Sequence, residues 1–463
     1  TIKYLWESFM ARLRSLMHNK QEKKLSKNFN PTNVSISHMG SRGEGVSTLL
    51  TEFNYIEKEY NFFIPFSLPN ETISVKPEHI SSEGVRANIL EIINPSHERV
   101  DPQCKHFFKC GGCILQHWDF QHYTQWKVKK IKMPMSLISQ ETEIKSIITS
   151  PLKSRRHAKF VAKKTKSNLL IGFNEYRSNF ISEIDECIIL DEKLVNLLQN
   201  IKEPLNKILQ IGQTINIHAN VLDYGIDLLI DGIENISYSS LLHFNESLIK
   251  KNIIRLNRTR KDKSNDLLFV TEKVTLSNIS FSSYMLPPPG SFLQATKNGE
   301  LTIIQCVLNG LEKLGNNINV CELYAGSGSI TLPLLSKGFQ VSAYEISNDA
   351  IIAINSAAKE QGFGNKIKAV TRNLKNNPLT FLELNKFDAI VIDPPRTGAQ
   401  PQFINIAKSQ VSTVISISCN INSFIKDAKI LFENNYELKW VQPIDQFLFT
   451  QHIELVGLFQ LRA

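Results

Sequence analysis

Downstream of Pro287-Pro-Pro-Gly290 the chain settles into a steady alternation of short apolar runs and helical patterns. The runs cover Ile318 to Tyr324, Gln340 to Glu345, Lys366 to Val370, Ala389 to Asp393, Thr413 to Ser418, Leu438 to Pro443 and Ile453 to Phe459. Strands separated by helices pair in parallel through crossovers, so the alternation predicts an α/β fold with a doubly wound sheet. Ligands of such sheets bind outside the carboxyl ends of the strands. Three segments at predicted strand ends carry residues suited to chemistry: Glu322-Leu-Tyr-Ala-Gly-Ser-Gly-Ser-Ile330, Val391-Ile-Asp-Pro-Pro-Arg-Thr-Gly398 and Ile415-Ser-Ile-Ser-Cys-Asn-Ile421. A glycine turn, an acid-proline turn and a thiol are thus predicted along one sheet edge, which is the arrangement of an enzyme.

Gly326 and Gly328 would let the backbone pass close to a ligand, and the helix that follows offers amide donors. Thr331 stands where the third glycine of a dinucleotide fingerprint would fall, which disfavours NAD. The second strand ends in Tyr344-Glu345, an acid about 20 residues on, suited to ribose hydroxyls. Together these predict an adenosine-containing ligand without a pyrophosphate, of which S-adenosylmethionine is the commonest. Asp393 reads either as an acceptor for a base N–H or cofactor amine or as a turn aspartate. Cys419 ends a strand at the reactive edge, and a free thiol there needs local donors to ionise. Cys306 and Cys321, set within apolar patterns, read instead as small buried hydrophobes.

A chain of 463 residues exceeds what one core supports, so two to four domains are expected. We divide it into a basic N-terminal helix or tail (1–30), a small β-barrel of short strand-like runs (31–95), a central region rich in cysteine and basic residues (96–288) and the α/β domain (289–463). The net charge of +9 favours a polyanionic partner. Basic runs at Lys127–Lys132, Lys153–His157, Lys163–Lys166 and Arg255–Lys261 predict a phosphate-tracking surface. No apolar run approaches the roughly 18 to 20 residues of a membrane span. Thr1 to Lys27 lacks the features of a secretory signal, so a cytoplasmic location and no membrane partner are expected. Seven cysteines, an odd number, then argue for metal binding or catalysis rather than a disulfide framework. Cys104, Cys110 and Cys113, with Gly111-Gly112 between the last two, gather three thiols, and Cys187 is the nearby candidate for a fourth. Four thiolates suit zinc or an iron-sulfur cluster, and spacing does not choose between them.

On these motifs the chain resembles the S-adenosylmethionine-dependent RNA 5-methyluridine methyltransferases, in particular the bacterial iron-sulfur branch acting on 23S ribosomal RNA. The resemblance spans residues 32–463. It implies a Rossmann-like class I methyltransferase domain, an N-terminal OB-type (TRAM) RNA-binding barrel containing the turn Gly40 to Gly45, and a central iron-sulfur domain. It implies a [4Fe-4S] cluster on Cys104, Cys110, Cys113 and Cys187. Gln294, in Ser291-Phe-Leu-Gln294, would bind the cofactor together with Tyr324, Gly326, Ser329, Glu345, Asn373 and Asp393. Cys419, in Ser418-Cys419-Asn420, would be the nucleophile, and Glu454, in Gln451-His-Ile-Glu454, the base. The glycine loop reads Tyr324-Ala325-Gly326 where the family normally has Phe-Cys-Gly, and two positions depart from the pattern: Ser329 replaces Asn, and Ile421 replaces Pro.

The implied activity is methylation of C5 of one uridine in RNA, with 23S ribosomal RNA the expected substrate, through addition of cysteine to C6. The enzyme is expected to be a monomer with no obligate protein partner. Two other readings stay open: a transfer RNA uracil-5-methyltransferase, or a catalytically impaired RNA-binding or ribosome-assembly factor.

Overall fold

The computed structural model describes residues 23–24, 30–53, 56–136, 138–233, 236–249, 251–260, 262, 264–315 and 318–462. These fall into two compact units whose sequences interleave. One draws on residues 1–130, 170–188 and 449–451, the other on 131–169, 189–448 and 452–463. The helix expected within residues 1–30 lies outside the described residues. Of that stretch, Lys23–Lys24 is a two-residue strand paired with Ile80 and His79.

The first unit is built on four long strands, Glu44–Phe53, Ile56–Pro65, Thr72–Ser81 and Gly84–Asn94. Residues of Thr72–Ser81 alternate between buried and half-buried, the period-two pattern of a strand with one face on a core. The first two strands pair antiparallel, as do the last two, and Phe62 opposite Val85 joins the pairs. Phe62, Ile64, Leu68, Ile73 and Val75 fill the core between them.

Helix Phe120–Met135 carries the basic run Lys127–Lys132, which the sequence predicts as surface. Helical periodicity turns part of that run inward. Lys127 is 1% exposed, with its ammonium 4.9 Å from the centre of the Tyr123 ring. Lys130 lies 4.5 Å over Trp126 and donates to the Ser41 and Gln451 carbonyls, and burial lowers its pKa to about 8.

In the second unit, strands His157–Lys164, Thr214–Val221, Ile226–Asp231, Ile253–Thr259 and Asn265–Val270 are neighbours in that order. The cluster Arg255–Lys261, also predicted as free basic surface, is largely paired here. Arg255 bonds Asp227 at 2.7 Å, and Asp266 takes Arg258 at 3.2 Å and Arg260 at 2.7 Å. Adjacent strands supply acids that the local sequence lacks.

A further sheet of this unit holds all seven predicted strands: β1 (Asn319–Leu323), β2 (Gln340–Glu345), β3 (Ile367–Thr371), β4 (Ala389–Ile392), β5 (Thr413–Ser418), β6 (Tyr436–Asp445) and β7 (Glu454–Leu461). Their order is 3-2-1-4-5-7-6, with β7 antiparallel to both neighbours and the first five parallel. Helices α1 (Lys297–Leu311), α2 (Thr331–Ser336), α3 (Asn348–Glu360), α4 (Phe381–Leu384), α5 (Gln400–Ala407) and α6 (Ile421–Phe432) complete the domain.

Every residue of β4 and β5 is buried, as parallel strands covered on both faces require. Alternate residues serve two cores: Ala389 and Val391 join one, Ile390 and Ile392 the other. Cys306 and Cys321 are buried in these cores. No described helix is long and apolar enough to cross a membrane.

Candidate active site at the sheet edge

Register decides which residues meet. Leu323, the last residue of β1, lies opposite Ile392 of β4, while Ser418 of β5 lies opposite Leu455 of the reversed strand β7. The ends of β1, β4 and β5 and the start of β7 therefore share one edge. Gln294, Tyr324, Gly326, Ser329, Glu345, Asn373, Asp393, Cys419 and Glu454 all line one cavity there, of about 990 Å³. The four cysteines Cys104, Cys110, Cys113 and Cys187 belong to the other unit.

After β1 the backbone turns through left-handed conformations at Tyr324 (φ 63°), Gly326 (φ 55°) and Gly328 (φ 93°). A Cβ on Gly326 would meet nothing within 4 Å, so its glycine answers to backbone conformation and leaves open space before the turn. Glu345 fixes this turn: one carboxylate oxygen accepts from the Gly326 amide at 3.1 Å, the other from Ile346 and Ser347 at 2.8 and 3.0 Å. Carboxylate oxygens have further lone pairs for ribose hydroxyls. Asn373 follows β3, held by the fork of Arg372 on Glu383 at 2.6 and 3.1 Å. Its side-chain oxygen accepts from the Asn376 amide.

Beneath the turn lies an acid that sequence reasoning missed. Glu322 is 2% exposed and accepts from the Thr331 hydroxyl at 2.6 Å. Burial raises its pKa to about 8. Its position mid-strand in an apolar run was the available signal.

Cys419 sits between the end of β5 and the start of α6. Asn420 caps that helix by accepting from the Asn422 amide, and its own amide donates to the Arg396 carbonyl at 3.0 Å. The loop after Asp393 is thereby tied to the thiol. Ile421, the family's proline position, opens α6 and packs on the core. Burial, then repulsion from Glu454 and Asp393, raises the Cys419 pKa to about 11, opposed by the Arg396 charge.

Glu454 is 4% exposed, and burial followed by repulsion from Asp393 holds its pKa well above the carboxylate range. Burial raises Asp393 as well. Two neighbouring carboxylates that repel each other cannot both ionise readily.

The side chain joining Glu454 to Gln294 was also missed. Gln446, 2% exposed, donates from Nε2 to Gln294 Oε1 at 2.8 Å and to Glu454 Oε2 at 3.1 Å. It fits because residue 299 is glycine: a Cβ there would stand 2.8 Å from Gln446 Oε1. Gln294 is held from behind by Arg156, which donates to its carbonyl at 3.2 Å and pairs with buried Glu300 at 2.6 Å. The sequence predicts Arg156 as part of a basic surface, but it is 5% exposed. Beside Gln294, Phe292 lines the cavity and is 69% exposed, an uncovered aromatic face at its mouth.

In the other unit, Asp185 binds both Lys105 (2.9 Å) and His106 (2.7 Å), which brings the Cys187 segment to the Cys104–Cys113 loop. Cys187 is near enough to perturb the other three thiols electrostatically. Gly111 is needed here, since a Cβ would lie 2.9 Å from the Asn174 carbonyl oxygen. Burial raises the Cys110 thiol to about 12.

Residues 233–462 match the model of the tRNA (uracil-5-)-methyltransferase family. An uncharacterized RNA methyltransferase of Caulobacter vibrioides is 32% identical over 440 residues, spanning 92% of this chain and 99% of that protein. One from Brucella melitensis is 31% identical over 426 residues, covering 92% and 96% of the two chains. Among solved structures, the Pyrococcus abyssi tRNA (uracil-54, C5)-methyltransferase in complex with S-adenosyl-L-homocysteine superposes with a TM-score of 0.69. It is 19% identical, and the match covers 92% of this chain and all of that one. At that identity the likeness speaks for the fold.

Proposed function

Since the chain belongs to the S-adenosylmethionine-dependent RNA (uracil-5-)-methyltransferase family, we propose that it methylates C5 of one uridine in 23S ribosomal RNA, with Cys419 as nucleophile and Glu454 as base. The observation that carries this reading is the convergence of a thiol, the buried Glu454, the half-buried Asp393 and a glycine turn on one cavity. S-adenosylmethionine supplies an electrophilic methyl carbon. The residues present suit it: Glu345 for the ribose, Asn373 beside the adenine, and Tyr324, Gly326, Ser329 and Gln294 around the rest.

Carbon 5 of uracil is a weak nucleophile, and the proposed chemistry serves to change that. Cys419 loses its proton to a neighbouring carboxylate and its sulfur bonds to C6, sending the ring π electrons toward O4 as an enolate. The enolate electrons at C5 would then bond to the methyl carbon as its bond to the sulfonium sulfur breaks, that electron pair leaving with S-adenosylhomocysteine. Glu454 removes the C5 proton, the C5–C6 double bond re-forms, and the C6–S bond breaks to release the thiolate. A thiol with a pKa near 11 is protonated at rest, so a proton acceptor within the same cavity matters. Asp393 and Gln294 orient the base, which must be unstacked to reach this depth. Exposed Phe292 offers a face on which a base can stack. The strand-rich first unit serves as a TRAM-type RNA-binding barrel. Cys104, Cys110, Cys113 and Cys187 hold a [4Fe-4S] cluster that stabilises that unit, in a cytoplasmic monomer.

Cys419→Ala should abolish methyl transfer while calorimetry still detects S-adenosylmethionine binding; sustained turnover would remove the nucleophile. Glu454→Gln should accumulate a covalent protein–RNA adduct on denaturing gels, and its absence would remove the base. A second reading, a transfer RNA substrate, is favoured by the description of the matching family model. Locating 5-methyluridine lost from the RNA of a deletion strain decides between the two.

A further inference from the structure

We propose that His97, Glu98 and His122 form a metal site, separate from the cysteines, that takes one divalent transition cation of the zinc class. Their ligand atoms all lie within 4.8 Å of one another. Around one zinc ion with bonds of about 2.0–2.1 Å, tetrahedral ligands stand roughly 3.4 Å apart, so small side-chain movements would close the set.

The supporting groups argue for more than a chance meeting. Asp119 Oδ1 lies 2.9 Å from His122 Nδ1. An ionised carboxylate only accepts, so Nδ1 carries a proton, which leaves Nε2 as the ring nitrogen able to bind a metal. Nε2 faces Glu98 Oε1 at 3.8 Å, close to the spacing of two ligands around one zinc ion. The other Glu98 oxygen is fixed by the Trp118 indole N–H at 2.7 Å. Metal-bound histidines and carboxylates are oriented by such outer partners.

The backbone holds the two segments in register. Arg99 and Trp118 form an antiparallel bridge, and the Asp119 amide donates to the Glu98 carbonyl at 2.8 Å. The His97 and His122 rings meet edge to face, with centroids 6.0 Å apart. His97 is exposed and the other two are half-buried, so a water can complete the coordination. Two imidazoles and a carboxylate suit Zn²⁺, Co²⁺ or Ni²⁺ better than Mg²⁺ or Ca²⁺. A cation here would clamp the segment leaving strand Gly84–Asn94 to the first turn of helix Phe120–Met135.

Since the site contains no sulfur, Co²⁺ distinguishes it from the cysteines. Anaerobically purified full-length protein, with its iron content determined, is titrated with Co²⁺. The expected result is one equivalent per chain with visible d–d bands, no thiolate-to-cobalt charge transfer, and a saturable rise in melting temperature. His97→Ala, at an exposed position that should not disturb folding, and His122→Gln should lose that equivalent at unchanged iron content. Asp119→Asn, which touches no cation, should weaken binding by about 10- to 100-fold. Charge transfer alone, undiminished binding in His97→Ala, or no binding at micromolar Co²⁺ would overturn the proposal and leave an acid–histidine pair.

Discussion

Replacing Gln446 with leucine tests how the site sets the basicity of Glu454. The amide donates 3.1 Å to Glu454 Oε2 and 2.8 Å to Gln294 Oε1, and all three side chains are nearly inaccessible to solvent. A hydrogen bond to a charged group contributes about 1.5–3 kcal/mol. One pKa unit corresponds to about 1.4 kcal/mol, so losing the donor should raise Glu454 by roughly 1–2 units. Glu454 already stands above the carboxylate range through burial and Asp393, with Gln446 acting in the opposite direction. A base, the role proposed for Glu454, works ionised, and its activity falls as pH drops through its pKa. The acidic limb of the rate profile should therefore move upward by about 1–2 pH units, with most of the rate recovered on the alkaline side. Single-turnover methyl transfer to a uridine-containing RNA, from about pH 6 to 9, reads this directly. Leucine fits the space and leaves Gly299 undisturbed, so folding should persist. A rate lowered equally at every pH would refute the argument, because loss of alignment scales the rate without moving its limb.

If Cys187 ligates the proposed [4Fe-4S] cluster, Cys187→Ser should lower the iron content of anaerobically purified protein and bleach the brown colour such a cluster gives; full iron retention would take Cys187 out of the proposed ligand set. Glu322→Gln should flatten the fall of stability with pH. Burial holds this carboxyl at about 8, above the roughly 4.3 of an unfolded chain, so the folded state keeps a proton that the unfolded state releases. Stability is then full below about pH 4 and falls as pH rises toward 8, by an amount on the order of a few kcal/mol. The melting temperatures of variant and wild type should converge near pH 5 and separate in the variant's favour near pH 8; parallel curves would refute the assignment. Arg156→Ala strands Glu300 in the core and should cost about 3–5 kcal/mol in chemical denaturation, with kcat/KM falling as the Gln294 segment loosens. A loss under about 1 kcal/mol would show that Glu300 neutralises itself by taking up a proton.

Much of the catalytic sheet was legible because its signals are local. Seven apolar runs with helical patterns between them sufficed for β1 to β7, and strand ends are where loops carry side chains to ligands. The basic runs misled for the opposite reason. A run of lysines says nothing of the helical phase that turns Lys127 onto Tyr123 while its neighbour Lys129 stays exposed. Nor does an acid-free stretch reveal that Asp227 and Asp266 arrive from other strands to pair with Arg255, Arg258 and Arg260. Gln446 was hidden for a related reason. Its importance lies in two partners, one 152 residues away in sequence, and no period or motif encodes that distance.

The same geometry explains why the site's ionisable groups are perturbed together. Strands β1, β4 and β5 deliver Glu322, Asp393 and Cys419 to one edge, and the reversal into β7 adds Glu454 beside them. Each is pushed toward its protonated form chiefly by burial, and neighbouring negative charge adds to this for Glu322, Cys419 and Glu454. A cluster of this kind binds protons that it can redistribute but not easily lose to water. The proposed reaction needs such redistribution, since the thiol must release a proton before C6 is attacked and a carboxylate must accept another from C5 afterwards. Arg396, close enough to favour the Cys419 thiolate, is exposed at the mouth and bonded to His452 at 3.1 Å. RNA that covers this mouth would exclude water from around the guanidinium and strengthen its attraction for the thiolate. The proposed nucleophile would then be armed only once its substrate is in place.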